Sequence, residues 1–254
     1  MIKVVKIGGN VIDNPEALGR FLDDFAALDG PKILVHGGGK EATRLSAAMG
    51  IETTMINGRR VTDAATLEVV TMVYAGLINK RIVAGLQARG VNALGLTGAD
   101  GRAIVSHRRP ANPVDYGFVG DIDGVNRQLV QTIIDSGIVP VFCAITCSAE
   151  GQLLNSNADS VASAVALCAA EIGPTELHYC FDKPGVMLNV DDAASVIAEI
   201  NEESFARLKA DGIVHSGMLP KIENALAACR CGVSAVFIEA GVGEAYAPRT
   251  VVKL

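Results

Sequence analysis

An α/β sheet with helices on its faces is what the sequence predicts, on three observations. Short β-branched runs such as IKVVKI, KILVH and SAVFIE alternate with longer stretches whose apolar residues recur every three to four positions. The apolar half of the 254 residues is mostly small and aliphatic, with seven Phe, four Tyr and no Trp. Such side chains suit helices stacked closely on a sheet better than an aromatic-rich β-sandwich. Glycine clusters follow the first two runs, Gly8-Gly9 and Gly37-Gly38-Gly39, where a strand would turn into a helix.

In chain order, residues 2–8 read as a buried strand. Asn14 is an N-cap and Pro15 a first-turn proline for a helix carrying Ala17, Leu18, Phe21, Leu22, Phe25 and Leu28 at helical spacing; Gly30-Pro31 ends it. A strand at 32–36 and a helix from Glu41 to Met49 follow. Residues 53–62 form a hairpin turning at Asn57-Gly58, the dipeptide that tolerates two positive φ angles. A long helix runs from about Asp63 to Arg89, weakened but not broken by Gly76 and Gly85. Strands or extended pieces are expected at 92–98, 102–107, 114–119, 138–145, 175–181 and 234–239, and in the terminal TVVKL. Helices are expected at 125–136, 158–171, 202–210 and from Leu219 to Cys231. No repeat or linker interrupts the chain, so a lobe boundary near Gly173-Pro174 lies within a continuous sheet.

The length fits one large domain or two small lobes at roughly 150 residues per domain. A net charge of −6 without a Lys/Arg run argues against a nucleic-acid or membrane-surface protein. No window approaches eighteen uninterrupted apolar residues and the N-terminus lacks a signal-peptide pattern, so the expectation is a cytoplasmic protein with no membrane span. The six cysteines lie in apolar segments with no C-x-x-C pair and no zinc-ligand spacing with His. They read as reduced, buried fillers.

Glycine turns at strand ends let backbone N–H groups approach an anion closely. Gly37 to Ala42 matches the short G-x-G-x-x-A dinucleotide pattern, but only Glu52 or Asp63 could supply the acid expected some twenty residues on. No phosphate-binding G-x-x-x-x-G-K-[ST] run exists. Lys6 lies in an apolar strand two residues before Gly8 and needs an anion at the mouth of the sheet. Lys221 sits in a helix's first turn, where a cation opposes the helix dipole unless an anion joins it. Of Arg59 and Arg60 in the hairpin, one is expected to be merely solvated. Asn155, Asn157 and Asp159 precede an Ala-rich helix; one polar residue suffices as a cap, and three suggest a ligand contact.

In this order, KIGGN, VHGGGKE, NGRRVT, GADG, GFVGDIDGVN, LLNSNAD, FDKPGVM and HSGMLPKIENA resemble the amino-acid kinase family across essentially the whole chain. Within it they resemble the branch that phosphorylates the side-chain carboxylate of an N-acylated glutamate. The resemblance implies a three-layer α/β/α sandwich around a mostly parallel sheet. An N-terminal lobe (about 1–174) would bind the acyl amino acid and carry a dimer interface, and a C-terminal lobe (about 175–254) would bind ATP. It makes Lys6 and Lys221 the transition-state lysines, with Asp159 orienting both, and gives Gly9 and Gly38 N–H groups toward the transferring phosphoryl. Gly38, Gly39, Arg60 and Asn155 would hold the acyl amino acid, Arg60 clamping its α-carboxylate. Lys6, Gly8, Asp182, Lys183, Gly185, Val186, Met187, Ile213, Val214 and His215 would meet the nucleotide, and Mg2+ would be held by the ATP phosphates rather than by protein ligands.

What the resemblance implies, then, is an ATP-dependent kinase of N-acetyl-glutamate in arginine biosynthesis, a homodimer that arginine does not inhibit. The acyl group stays open between acetyl, succinyl and another N-acyl acidic amino acid. A non-catalytic nucleotide or metabolite sensor is the reading from another class, and a dehydrogenase on the glycine pattern is a third. Retention of Lys6, Asp159 and Lys221 together argues against the sensor.

Overall fold

The computed structural model describes residues 1–189, 191–213, 218–243 and 246–254. Its strands are Ile2–Ile7 (β1), Lys32–His36 (β2), Met55–Ile56 (β3), Arg59–Arg60 (β4), Ala93–Leu96 (β5), Ile104–Arg108 (β6) and Gly120–Val125 (β7). Val139–Cys143 (β8), Ile145–Cys147 (β9), Leu153–Asn155 (β10), Thr175–Cys180 (β11), Glu199–Ile200 (β12), Ala235–Glu239 (β13) and Thr250–Val252 (β14) complete them. The α-helices are Gly9–Ile12 (α1), Pro15–Ala27 (α2), Gly39–Ala48 (α3), Ala64–Thr71 (α4), Asn79–Gln87 (α5), Arg127–Asp135 (α6), Ala158–Ala170 (α7), Glu202–Ala210 (α8) and Leu219–Arg230 (α9).

The main sheet has eight strands in the order β12-β14-β13-β11-β1-β2-β8-β5. All neighbours pair in parallel except β13 with β14. Parallel strands are covered on both faces, and here two apolar clusters do it. Val4, Val35 and Phe142 face α7 and α9, whereas Val5, Ile7, Leu34 and Val141 face α2, α4 and α5. The three-layer sandwich is therefore the fold, and the sheet runs unbroken past Pro174, since Ile2 to Ile7 register with Thr175 to Cys180.

Local expectations meet mixed outcomes, each with a cause. Asn14 caps α2, accepting from the N–H groups of Glu16 and Ala17. The hairpin turns at Asn57 and Gly58 with φ of 49° and 73°. The long helix is continuous over Ala64–Gln87, but Met72–Ile78 is wound as a π-helix around Gly76. Although no uninterrupted apolar run reaches eighteen residues, this 24-residue helix is long and apolar enough by mean hydropathy to cross a membrane. In the fold its apolar stripe (Leu67, Val70, Val73, Ile78, Ile82, Leu86) packs into the core. The expected strand 138–145 is split at Ala144 into β8 and β9, which belong to different sheets. Residues 114–119 make only single bridges, Gly117 to Thr62 and Val119 to Asn155; the strand proper is β7. Together β10-β9-β6-β7 form a second sheet that the sequence reading did not foresee. The cysteines are all free and five are buried, burial pushing the Cys143 thiol up to about 12, but Cys231 is exposed.

The C-terminal half buries a charged cluster. His178 on β11 lies with Nδ1 2.6 Å from Glu239 Oε1 on β13 and Nε2 3.6 Å from Glu176 Oε2; Arg249 Nη1 donates to Glu239 Oε2 at 3.2 Å. Burial opposes a charge on His178, but the two carboxylates outweigh it and raise its pKa. Glu239 is fully buried, and removing one partner of a buried ionic cluster strands the others. Glu239→Ala is accordingly expected to lower stability by roughly 3–5 kcal/mol, read as a fall in the urea midpoint at unchanged slope.

Candidate active site at the carboxyl edge of the sheet

Side chains alternate along β1, so Lys6 shares the face of Val4 and points toward α7. Its Nζ lies 2.8 Å from Asp159 Oδ1, in the first turn of α7. The anion that a half-buried lysine needed is thus supplied by the protein. Asn157 is the N-cap of α7, accepting from the N–H groups of Asp159 and Ser160, so of the three polar residues it is structural.

Gly8 ends β1, and its N–H donates to Cys180 O at 2.8 Å, stitching the turn to β11. A Cβ on Gly8 would lie 3.1 Å from that carbonyl. Gly9 opens α1, and its N–H has no backbone partner among the described residues. Lys40 Nζ donates to Asn10 Oδ1 across the gap between the two glycine turns.

The second turn builds a cavity of about 200 Å³, walled by the Gly37 to Gly39 backbone, Arg60, Tyr74 and Asn155. Gly38 has φ of 153°, and a Cβ there would sit 2.2 Å from Ile78 Cδ1 and 3.1 Å from Tyr74 Cδ1. The π-helical segment is what brings Tyr74 and Ile78 against it. Among the described residues no side chain caps α3, and the Gly38 and Gly39 N–H groups have no backbone partner.

Arg60 is only 7% exposed, yet its guanidinium donates solely to neutral oxygens. Nη1 reaches Thr53 Oγ1 at 3.0 Å, and Nη2 reaches Gly39 O and Thr43 Oγ1 at 2.8 Å. No carboxylate pairs with it among the described residues. Asn155, also buried, donates to Thr62 Oγ1 at 3.0 Å. Burial raises the Tyr74 hydroxyl pKa, and the nearby Arg60 charge opposes this. Arg59 is half-buried on the same wall.

On the other side of β1, Phe181 packs against Gly8, and Lys221 Nζ stands 4.7 Å above the Phe181 ring. Among the described residues Lys221 makes no ion pair. Among the described residues Asp159 pairs with Lys6 and not with Lys221, whose ammonium lies over the Phe181 ring. Asp182 is exposed and Lys183 half-buried at the end of β11. Gly185 packs under Thr250, where a Cβ would meet Thr250 Oγ1 at 2.6 Å. Val186 is a core residue whose N–H donates to Thr250 Oγ1 and whose carbonyl accepts from Ile197, so the fold already uses its polar groups. Met187 bridges Val196, and Ile213 follows α8 with its N–H on Leu208 O. Val214 and His215 lie outside the described residues.

Sequence reasoning missed Tyr74, Thr43, Thr53 and Thr62, and it passed over His36. Thr62 stood inside NGRRVT beside Arg60, but nothing in a helical heptad marks Tyr74 as a cavity wall. His36 is fully buried, Nδ1 2.8 Å from Gly37 O and Nε2 3.1 Å from Asn79 Nδ2. Burial lowers its pKa to about 4, the Gly37 carbonyl opposing and Lys80 assisting.

Two outcomes follow from this geometry. Gly38→Ala is expected to abolish ligand binding in the cavity, checked by calorimetry, with far-ultraviolet circular dichroism showing the helices retained. His36 binds a proton in the unfolded chain near pH 6.5 but in the folded one only near 4. Stability contributed by its neutral form is full above pH 6.5 and falls as pH drops toward 4, by about 3 kcal/mol in all; urea midpoints across that range check it.

With that geometry established, the relatives are informative. The sequence profile described as "Amino acid kinase family" matches residues 1–239. Acetylglutamate kinase of Bacteroides fragilis is 51% identical over 93% of this chain and 91% of its own, and that of Methanopyrus kandleri is 40% identical over 91% and 92%. Among solved structures, smu.665 from Streptococcus mutans superposes with a TM-score of 0.81 at 26% identity, covering 99% of this chain and 98% of its own. Giardia lamblia carbamate kinase bound to AMP-PNP shares the fold, with a TM-score of 0.69 at 16% identity over 99% and 98%. By profile, by identity over nearly its whole length and by fold, the chain belongs to the amino acid kinase family.

Proposed function

We propose that this protein transfers the γ-phosphoryl group of ATP to the side-chain carboxylate of N-acetyl-L-glutamate. A carboxylate oxygen bonds to the γ-phosphorus as the bond to the β–γ bridging oxygen breaks, giving the acyl phosphate and ADP. The observation that carries this reading is Arg60, a buried guanidinium walling the cavity with only neutral partners. A bidentate carboxylate is the counter-charge its fork geometry fits. Asn155 and the Gly38 and Gly39 backbone would hold the rest of the acyl amino acid.

Bringing a carboxylate to a phosphate opposes two anions, at roughly 4 kcal/mol per pair of unit charges 4 Å apart in an effective dielectric of 20. Lys6, Lys221 and the N–H groups of Gly9 and Gly38 would offset that where charge accumulates. Asp159 would aim the Lys6 ammonium, which it holds at 2.8 Å. An ionised acceptor needs no general base. Mg2+ carried by the ATP phosphates would neutralise charge on the leaving group. ATP would lie beyond β11, against Gly8, Asp182 to Met187 and Ile213, so that residues to about 174 serve the acyl amino acid and residues 175–254 the nucleotide. Arg59, on the same cavity wall and without an ion-pair partner among the described residues, favours N-succinyl-glutamate as the second reading, since a succinyl group brings another carboxylate.

A homodimer in the cytoplasm completes the proposal. The main sheet ends at β5 with Leu94 exposed, and Met72 and Leu77 are exposed on the long helix. Sedimentation is expected to give twice the 26.4 kDa chain mass, and a monomer would remove this part.

ADP release with MgATP is expected with N-acetylglutamate or N-succinylglutamate and not with free glutamate. Lys221→Ala should cut kcat by roughly 10²–10³ while ATP still binds. Arg60→Ala should mainly raise KM for the acyl amino acid. Turnover of neither acyl substrate with ATP bound would move the reading to a sensor.

A further inference from the structure

We propose that His36 is a positioning residue for phosphoryl transfer: its Nδ1–H holds the Gly37 carbonyl and thereby fixes the N–H of Gly38 toward the cavity. The Gly37 oxygen and the Gly38 nitrogen belong to one planar trans peptide, so their C=O and N–H bonds point in opposite directions. Anchoring the carbonyl to the buried ring beneath the turn leaves the N–H directed away from it, on the cavity side.

The hydrogen-bond directions are set by groups of fixed role, the Gly37 and Val141 carbonyls that can only accept and the Lys80 ammonium that can only donate. Gly37 O accepts at 2.8 Å, so His36 Nδ1 carries the proton and Nε2 is the acceptor. Asn79 Nδ2 donates to Nε2 at 3.1 Å and to Val141 O at 2.9 Å, which leaves Asn79 Oδ1 to accept from Lys80 Nζ at 3.0 Å. Every polar atom of His36 and of the Asn79 amide is used. Gly95 makes the room: a Cβ there would lie 1.9 Å from Asn79 Oδ1. The relay Lys80–Asn79–His36–Gly37 therefore starts on the far side of β8 and ends at the peptide that donates to the reacting group.

A glycine turn needs such a lock. Gly38 permits both the φ of 153° seen here and many others, so the sequence alone leaves its peptide free to flip. Packing against Tyr74 and Ile78 limits the Cα, and the histidine limits the peptide plane. A donor misplaced by about 1 Å loses on the order of 10²-fold in rate.

This inference rests on the kinase reading, and the test separates the two. In His36→Asn the amide nitrogen can occupy the place of Nδ1 and keep the bond to Gly37. In His36→Gln it takes the place of Nε2 and loses that bond. The Asn variant is expected to keep kcat within about threefold of wild type, and the Gln variant to lose roughly 10- to 100-fold, with KM for both substrates little changed in each. Gly95→Ala, remote from the cavity, should show the same kcat-selective loss by displacing Asn79. Equal kcat for the Asn and Gln variants would overturn the proposal. Nitrogen-15 spectra of the wild-type histidines give a readout independent of turnover and of variant folding. His36 should be neutral and protonated on Nδ1 from pH 5 to 8, and an Nε2-protonated ring would equally overturn the proposal. Absence of wild-type turnover with any N-acyl glutamate would instead remove the kinase reading and leave the spectroscopic test of the lock standing.

Discussion

Pairing of β1 with β2 on one side and β11 on the other sets Lys6 level with Val35 and Tyr179, and the geometry of the site descends from that register. Because successive side chains alternate, a slip by one residue would turn Lys6 from α7 toward the apolar residues of α2 and α4. Val5 and Ile7 buried on one face and Val4 on the other fix the register hydrophobically. The two glycine turns then emerge side by side at the carboxyl ends of adjacent parallel strands, where open α/β sheets place their ligands. Here β1 connects onward to β2 on one flank while β11 and β13 extend the other. One strand thus touches both halves of the chain.

The cations around this edge are neutralised differently, and the difference sorts their roles. Lys6 has a carboxylate at 2.8 Å and Lys221 an aromatic face, so each ammonium is held in place by a protein partner. Arg60 has only hydroxyls and a carbonyl. A buried guanidinium so placed is costly unless an anion pairs with it. The first two are held by partners of their own, and the third is the buried cation whose partners among the described residues are all neutral.

Much of this was legible because it depends on short-range chemistry. Asn14-Pro15, Asn57-Gly58 and the glycines after β1 and β2 act within a few residues of themselves, and the structure places them as read. Lys6 was legible through an energetic contradiction, a cation in an apolar strand, and its partner Asp159 is in place. The second sheet was not legible, since β9 and β10 are three residues each, too short to show a period. Nor was the π-helical turn, whose sequence carries an ordinary helical pattern and which sets Tyr74 and Ile78 against Gly38. His36 looked like one of four scattered histidines because Asn79 and Gly95, which give it a function, are tens of residues away.

The glycine pattern from Gly37 to Ala42 also shows why local context cannot by itself decide between anion-binding recipes. It does follow a strand and open a helix, as a dinucleotide-binding turn would. What fails is the next step. After α3 the chain enters the β3–β4 hairpin instead of a parallel neighbour of β2, so no βαβ unit is completed there. Asp63, one of the two acids at the right distance, is spent as the N-cap of α4, and its carboxyl is held below the usual range by the Thr66 N–H. Glu52, the other, is exposed ahead of the hairpin. Neither Glu52 nor Asp63 ends a parallel strand, so this turn lacks the acid that such a motif sets on a ribose diol. What stands beside the turn instead is the carboxyl end of β1, where Lys6 is paired with Asp159 at the first turn of α7.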